Sequence, residues 1–425
     1  MTQRLVQIVP PAFAGPAELR GGSFWPACGW TSLAFQAKEV EAWMVLPALA
    51  LAYLVSGPGS ALRRTAQLAV AGVVTALVSV SWMTAVSLVP AADRPYVDGS
   101  HHNSVFEQVF TYNGLGRFGD ETPVQVQAAQ LDPGAAVPVP ARAADRLLRG
   151  SLGRDTGWLI PAAAAVAVWG VASRRRQPRR DLLRACFLMW GAWLVIFFAV
   201  FSVLSALQPY YTAALSPAAA ALIGTGVAAA RSRDRVPLSW TTGLAVIVAV
   251  GAVATSLIVW SLAGWRSIPF AAAVGAGLVA VALAPAVASV SLAAHGEGAF
   301  DIPFESARAQ EAVAIATGKE RIARVRAAIP SWQATENGAP YLMAAQSIGL
   351  PSAIIYDTGL EALPIGGYDG TTPSPTVPQL QADIRRGLFH LVWIESPSDP
   401  RLRWITTHCA QLPMHLYDCV PANAR

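Results

Sequence analysis

The sequence predicts a mainly α fold: a polytopic transmembrane helical bundle that ends in a small α/β domain. Three observations carry this expectation. The chain of 425 residues is 54% hydrophobic and only 13% charged, where a soluble globular chain has about 25% charged residues. Apolar runs recur along the chain up to residue 294, several of them near the roughly 20 residues that a helix needs to cross hydrocarbon. From about residue 295 the composition turns soluble-like, with mixed charge and proline-rich joints.

Residues 1–28 contain two proline-rich breaks and lack the apolar core of a signal peptide, so they read as disordered. Seven hydrophobic segments follow, at 42–55, 67–89, 158–173, 182–204, 213–230, 238–262 and 268–294. The first, third and fifth are short for a full crossing. Each of these three is followed by arginines: Arg63-Arg64, RRRQPRR at 174–180 and RSRDR at 231–235. Basic loops stay on the cytoplasmic side, which places the loop at 90–156 and the short one at 205–212 outside. The chain is thus expected to be a multi-pass cell-membrane protein in contact with membrane lipid. Its net charge of +5 sits in these clusters, and no nucleic-acid motif is present, so nucleic acid is not an expected partner.

In the soluble part, 305–328 is rich in Ala and Arg and reads as a helix. SAIIY at 352–356 and LFHLVWI at 388–394 read as buried strands, with a helix at 378–386 between them. Strand, helix, strand implies a small α/β domain. Pro364–Gly370 reads as a glycine-rich structural turn that matches no phosphate-cradling motif. Cys409 and Cys419 stand ten residues apart. They suit a disulfide if this domain is outside the cell and free thiols if it is inside. Seven crossings that start outside would end inside, so segment parity and the cysteine pair point opposite ways.

The exterior loop carries the residue types of a sugar or phosphate site. RPYVDGSHHNSVFEQVFTYNGLGRFG at 94–119 mixes aromatics, amides, histidines, acids and arginines. Sugar transfer needs a carboxylate base for the acceptor's proton; Asp93, Asp98, Glu107, Asp120 and Glu121 are available, with Glu107 the candidate catalytic residue. It also needs positive charge, or a divalent metal ion, on the phosphate leaving group. Arg94 and Arg117 are candidates because the guanidinium fork fits phosphate oxygens, Tyr96 and Tyr112 offer aromatic hydrogen-bonding surfaces, and Asn113-Gly114 marks a tight turn. Ordinary turns of a solvated loop would give the same composition. Lys38 borders an apolar run, where it would snorkel to the interface or meet a lipid phosphate. Tyr210 and Tyr211 suit either an interfacial aromatic belt or a sugar pocket.

LAFQAKEVEAWMVLPALALAYL, the 94–119 loop and LQPYYTAALSPAAAALIG occur in the same order as in actinobacterial family-39 glycosyltransferases, which the chain resembles from about Gly29 onward. The segment ALPIGGYDGTTPSPTVPQLQADIRRGLFHLVWI resembles the C-terminal domain of YkcA/YkcB-type mannosyltransferases. The resemblance implies a GT-C fold and an exterior C-terminal domain. It also implies transfer of a sugar from a polyprenyl-phosphate donor to a glycan, lipid or protein acceptor outside the membrane. Lys38, Arg94 and Arg117 would then contact donor phosphate, and Tyr96, Asn103, Tyr112, Asn113, Tyr210 and Tyr211 would line the sugar or acceptor site. Family members are longer at the N-terminus, and their acidic first exterior loop supplies the base. The chain is therefore expected to be a truncated member without that loop, with Glu39 and Gln208 as further departures. A non-catalytic scaffold or transporter is the alternative. The near absence of charge inside the apolar runs argues against transport.

Overall fold

The structure is a computed structural model. It describes residues 24–119, 141–231 apart from 206 and 208, and 319–419 apart from 337, 369 and 398. The sixth and seventh apolar segments lie outside the described residues, apart from isolated helical positions. The chain divides into two compact units. One is formed by 1–84 and 139–304, the other by 85–138 and 305–425. The 94–119 loop therefore clusters with the C-terminal domain.

In the first unit, helix α1 (Phe24–Lys38) begins inside the stretch expected to be disordered. The sequence hid it because WPACGW interrupts the apolar run. Next come a short turn (Val40–Trp43), α2 (Leu46–Ser56), α3 (Ala61–Ser87), α4 (Ile160–Ser173), α5 (Leu182–Val203) and α6 (Ser216–Arg231). Pro47 and Pro161 stand in first turns, where no helical N–H is lost. The Asp181 side chain caps α5 by accepting from Arg184 N at 2.7 Å. Among the described residues, α3 and α5 are long and apolar enough to cross a membrane, whereas 40–56 and 157–173 are shorter apolar helices. At 1.5 Å per residue the 22 residues of α5 reach about 33 Å.

Helices α2, α4, α5 and α6 pack together. Their core is Ala163, Val166, Trp169, Phe187, Phe197, Phe201, Leu215 and Leu222. A ladder of rings runs down α5, from Trp193 to Phe197 at 5.5 Å and on to Phe201 at 5.5 Å. Helix α1 docks on α3 through polar groups. Gln36 Nε2 donates to Ser79 O at 2.8 Å and to Val78 O at 3.0 Å, and Trp43 Nε1 donates to Ser79 Oγ at 3.2 Å.

The second unit is built on a five-stranded sheet in the order β2-β1-β3-β5-β4. The strands are β1 (Met343–Gln346), β2 (Ala362–Ile365), β3 (Leu391–Trp393), β4 (Ala410–Gln411) and β5 (Leu416–Asp418). Strand β1 runs parallel to β2 and β3, and β5 is antiparallel to β3 and β4. Side chains alternate along the strands. Met343, Ala345, Leu391 and Trp393 face α7 (Lys319–Glu336) and α8 (Gly349–Thr358), through Val325, Ile329, Trp332, Leu350 and Ile354. Ala344, Val392 and Ile394 face α9 (Val377–Arg385) and α10 (Pro400–His408), through Leu380, Ile384, Leu402 and Ile405.

Two sequence expectations are corrected here. SAIIY is not a strand; it lies in α8. Leu350 and Ile354, four apart, are buried while Tyr356 is 91% exposed, which is helical spacing. The strands β1 and β2 were not expected, because MAAQ and ALPI are short and carry alanine where β-branched residues are the signal. The strand at 388–394 shortens to Leu391–Trp393 and the helix at 378–386 appears as Val377–Arg385.

Cys409 and Cys419 form a disulfide between the end of α10 and the end of β5, with Cα atoms 4.5 Å apart. Closing a loop of this length restricts the unfolded chain by about 3 kcal/mol. The Cys409→Ala/Cys419→Ala variant of the detergent-purified chain is expected to unfold at lower temperature, and reductant should shift the parent chain but not the variant. Equal melting of parent and variant would refute this contribution.

Candidate functional site

The candidate residues fall in both units. In the first unit the chain brings together three residues that the sequence separates. Lys38 Nζ, at the end of α1, lies 4.7 Å from the centroid of the Tyr211 ring and 5.8 Å from that of Tyr210. The two tyrosine rings meet edge to face at 4.7 Å. Glu41 sits 3.8 Å from the same ammonium. A cation above two aromatic faces, with exposed Tyr210 beside it, offers a stacking surface and a positive charge at one point. Glu39, between Lys38 and the following turn, has φ 55°, a backbone state uncommon outside glycine. Gln208, Asp120 and Glu121 lie outside the described residues.

In the second unit the 94–119 loop is held by a dense set of its own bonds. Arg94 Nη1 donates to Val86 O at 3.0 Å and to Val89 O at 3.1 Å, and Nη2 donates to Asn103 O. Nη1 thus caps carbonyls at the end of α3, and Nη2 ties the loop at Asn103 to the same place. Asn103 is buried with φ 54°; its Oδ1 accepts from Val97 N at 2.8 Å and its Nδ2 donates to Ala91 O at 2.9 Å. Tyr96 donates to Ser100 O at 3.2 Å. These three residues brace the loop.

Glu107 begins a π-helical stretch (Glu107–Tyr112), in which Asn113 N reaches Gln108 O five residues back, at 2.9 Å. Such geometry is rare and recurs at functional sites. The Glu107 carboxylate meets His101 Nδ1 at 3.1 Å, and His102 N and Nδ1 at 3.2 Å each. A bond from the His101 backbone, together with these partners, outweighs desolvation and holds its carboxyl down at about 2. A carboxylate so stabilised accepts protons poorly near neutrality. Its contacts orient the two histidines.

Tyr112, Asn113 and Arg117 do come together. The Arg117 guanidinium carbon lies 5.4 Å from the Tyr112 ring centroid, and Nη2 donates to Asn113 Oδ1 at 2.7 Å. The loop is fastened to the C-terminal domain by Asp98. Its Oδ2 accepts from Tyr368 N at 2.9 Å, and its Oδ1 accepts from Thr372 Oγ1 at 2.7 Å. Sequence reading included Asp98 among five loop acids but had no signal to single it out, because both partners lie 270 or more positions away. Among the described residues, no cluster of three or more His, Cys, Asp or Glu side chains is arranged to hold a metal ion.

Residues 331–408 match the family described as "Putative mannosyltransferase YkcB-like, C-terminal". The chain is similar to "Putative mannosyltransferase YkcB" of Bacillus subtilis (strain 168), with 22% identity over 466 residues covering 83% of this chain and 64% of that protein. It is also similar to "Putative mannosyltransferase YycA" of the same organism, with 26% identity over 267 residues covering 46% of this chain and 39% of that protein. The chain spans less than two thirds of the length of either relative. No solved structure matches it.

Proposed function

We propose that this chain is a membrane glycosyltransferase that moves mannose from a polyprenyl-phosphate donor to a glycan, lipid or protein acceptor outside the membrane. The observation that carries the reading is the joining of a YkcB-like domain to the loop bearing Tyr112, Asn113 and Arg117. In this reading an acceptor hydroxyl oxygen attacks the anomeric carbon. The bond from that carbon to the phosphate oxygen breaks, polyprenyl phosphate leaves with the bonding electrons, and the hydroxyl's proton passes to solvent. The Arg117 guanidinium stabilises the growing phosphate charge, while the Tyr112 face and Asn113 amide grip sugar. Lys38 above Tyr210 and Tyr211 offers a second cationic and aromatic grip, suited to a lipid phosphate at the membrane edge. Glu107 orients His101 and His102. The basic loops at 63–64 and 174–180 lie on the cytoplasmic side, α3, α4 and α5 cross, and the C-terminal domain with its disulfide lies outside.

The experiment is transfer of label from polyprenyl-phosphate mannose by the purified chain in proteoliposomes, with cell-envelope extract as acceptor. Label moving into the acceptor fraction, with at least a tenfold loss in Arg117→Ala, is the expected result. Label that stays entirely on the donor would overturn the reading.

A further inference from the structure

We propose that Asp98 is a positioning residue through which the YkcB-like domain sets the geometry of the Tyr112–Arg117 grip. The proposal rests on the reading above, that this loop holds donor or acceptor. It follows from a continuous path of contacts within the second unit. The path starts in α10, where Arg401 Nη1 donates to Thr372 O at 2.7 Å and to Ser374 O at 3.1 Å. This fixes the segment after β2. Thr372 then donates from its hydroxyl to Asp98 at 2.7 Å, and the same hydroxyl accepts from Gly99 N at 3.3 Å. Tyr368 N closes the other carboxylate oxygen at 2.9 Å.

The seat admits little variation. Gly367 has φ 70°, and a Cβ there would run into the Asp98 carboxylate. The glycine is thus required both by its backbone and by what it faces. The far side of the strap is equally close. Gly99 has φ 73°, and a Cβ on it would come within 2.8 Å of the Tyr112 ring. Asp98 is therefore clasped by the C-terminal domain while its neighbour lies flat against the ring that carries Arg117 5.4 Å from its centroid. A shift of the strap moves that ring, and the ring moves the guanidinium. The path consists of packed and hydrogen-bonded groups throughout, which is what mechanical coupling between two places in a fold requires.

The test uses the full chain in proteoliposomes, with polyprenyl-phosphate mannose varied at fixed acceptor and the reverse. Asp98→Ala removes two bonds from the C-terminal domain, which corresponds to roughly a tenfold rise in the KM of the substrate that the loop holds. The kcat should stay within about twofold, because no reacting atom is touched. Thr372→Val, which cuts the strap from the other side and keeps its own carbonyl for Arg401, should give the same split. Asp98→Asn, which keeps an acceptor oxygen, should fall between Ala and the parent. A second readout needs no activity: tryptic cleavage after Arg117 should quicken about tenfold in Asp98→Ala and Thr372→Val, with cleavage inside the C-terminal domain unchanged.

Unchanged KM and unchanged cleavage would overturn the proposal. So would a fall in kcat with fast cleavage throughout the C-terminal domain, because Asp98 would then be holding the fold together. If the parent transfers no sugar while cleavage after Arg117 still rises in both variants, the strap stands and the glycosyltransferase reading alone falls.

Discussion

Replacing Arg401 by methionine is expected to cost the C-terminal domain about 3 kcal/mol, the loss typical of breaking a buried ion pair from one side. Arg401 is 7% exposed. Its Nη2 and Nε donate to Asp399 Oδ2 at 2.7 and 3.2 Å, and its Nη1 serves the carbonyls of Thr372, Ser374 and Pro375. Methionine fills much of the volume but removes the guanidinium that ties these carbonyls together and leaves Asp399 without its cation; the Thr372 and Ser374 carbonyls keep only their backbone donors, Ser374 N and Gly366 N. Lysine should restore less than half of the loss, since an ammonium cannot form the planar fork. Thermal unfolding of the detergent-purified chain should show the transition of this unit about 10 °C lower. The dependence on acid should change as well. Burial pushes the Asp399 carboxyl up, but the Arg401 side chain and the N–H groups of Leu402 and Arg401 outweigh it, so that it titrates below the usual range. A depressed carboxyl contributes stability that is present above the ordinary carboxylate value, about 3.9 for Asp, and is lost as pH falls through the folded one. That acid-sensitive component should shrink in Arg401→Met. A variant that melts within 2 °C of the parent would show that the pair and its carbonyls contribute little.

How much of this was legible in the sequence depends on the range of the interaction involved. The long apolar helices could be read from composition, and α3 and α5 appear within a few residues of the expected 67–89 and 182–204. The helix at Val377–Arg385 was legible because its signals are local: Thr376 caps it, and Gln379 returns the bond in a capping box. Helix α8 was not, because five residues of SAIIY satisfy a strand pattern and only the burial of Leu350 and Ile354 reveals the helical period. The loop was legible as a place and as a composition, and its assembly was not. Arg94 and Arg117 are equivalent in sequence terms, yet the first is committed to the carbonyls at the end of α3 and the second faces Tyr112. The convergence of His101, His102 and their backbone on Glu107 was likewise not legible. The strap from Asp98 to Thr372 spans 274 positions, a distance at which a single sequence carries no pairing signal.

Truncating Phe389 to alanine is the other change with a large expected effect, about 3–5 kcal/mol, because it removes a fully buried aromatic ring and leaves a cavity. Phe389 is 0% exposed and packs in the cluster of Leu380, Ile384, Val392, Leu402 and Ile405. It stands two residues before the first residue of β3 and fills the layer beneath α9 and α10. Phe389→Leu keeps most of the apolar volume and should cost no more than about 1.5 kcal/mol. The damage should be one-sided. The opposite face of the sheet has its own core, built on Trp332, Ile354, Leu391 and Trp393, and none of its residues belongs to the cluster around Phe389. Hydrogen exchange followed by mass spectrometry should therefore show faster exchange in Val377–Arg385 and Pro400–His408 well before Lys319–Glu336 changes. Because α10 carries Arg401, and Arg401 holds the segment that seats Asp98, Phe389→Ala should also speed tryptic cleavage after Arg117, some distance along the chain from the cavity. Equal acceleration on both faces of the sheet would mean that the domain opens as one cooperative unit, and the layered account of how it steadies the loop would then be wrong.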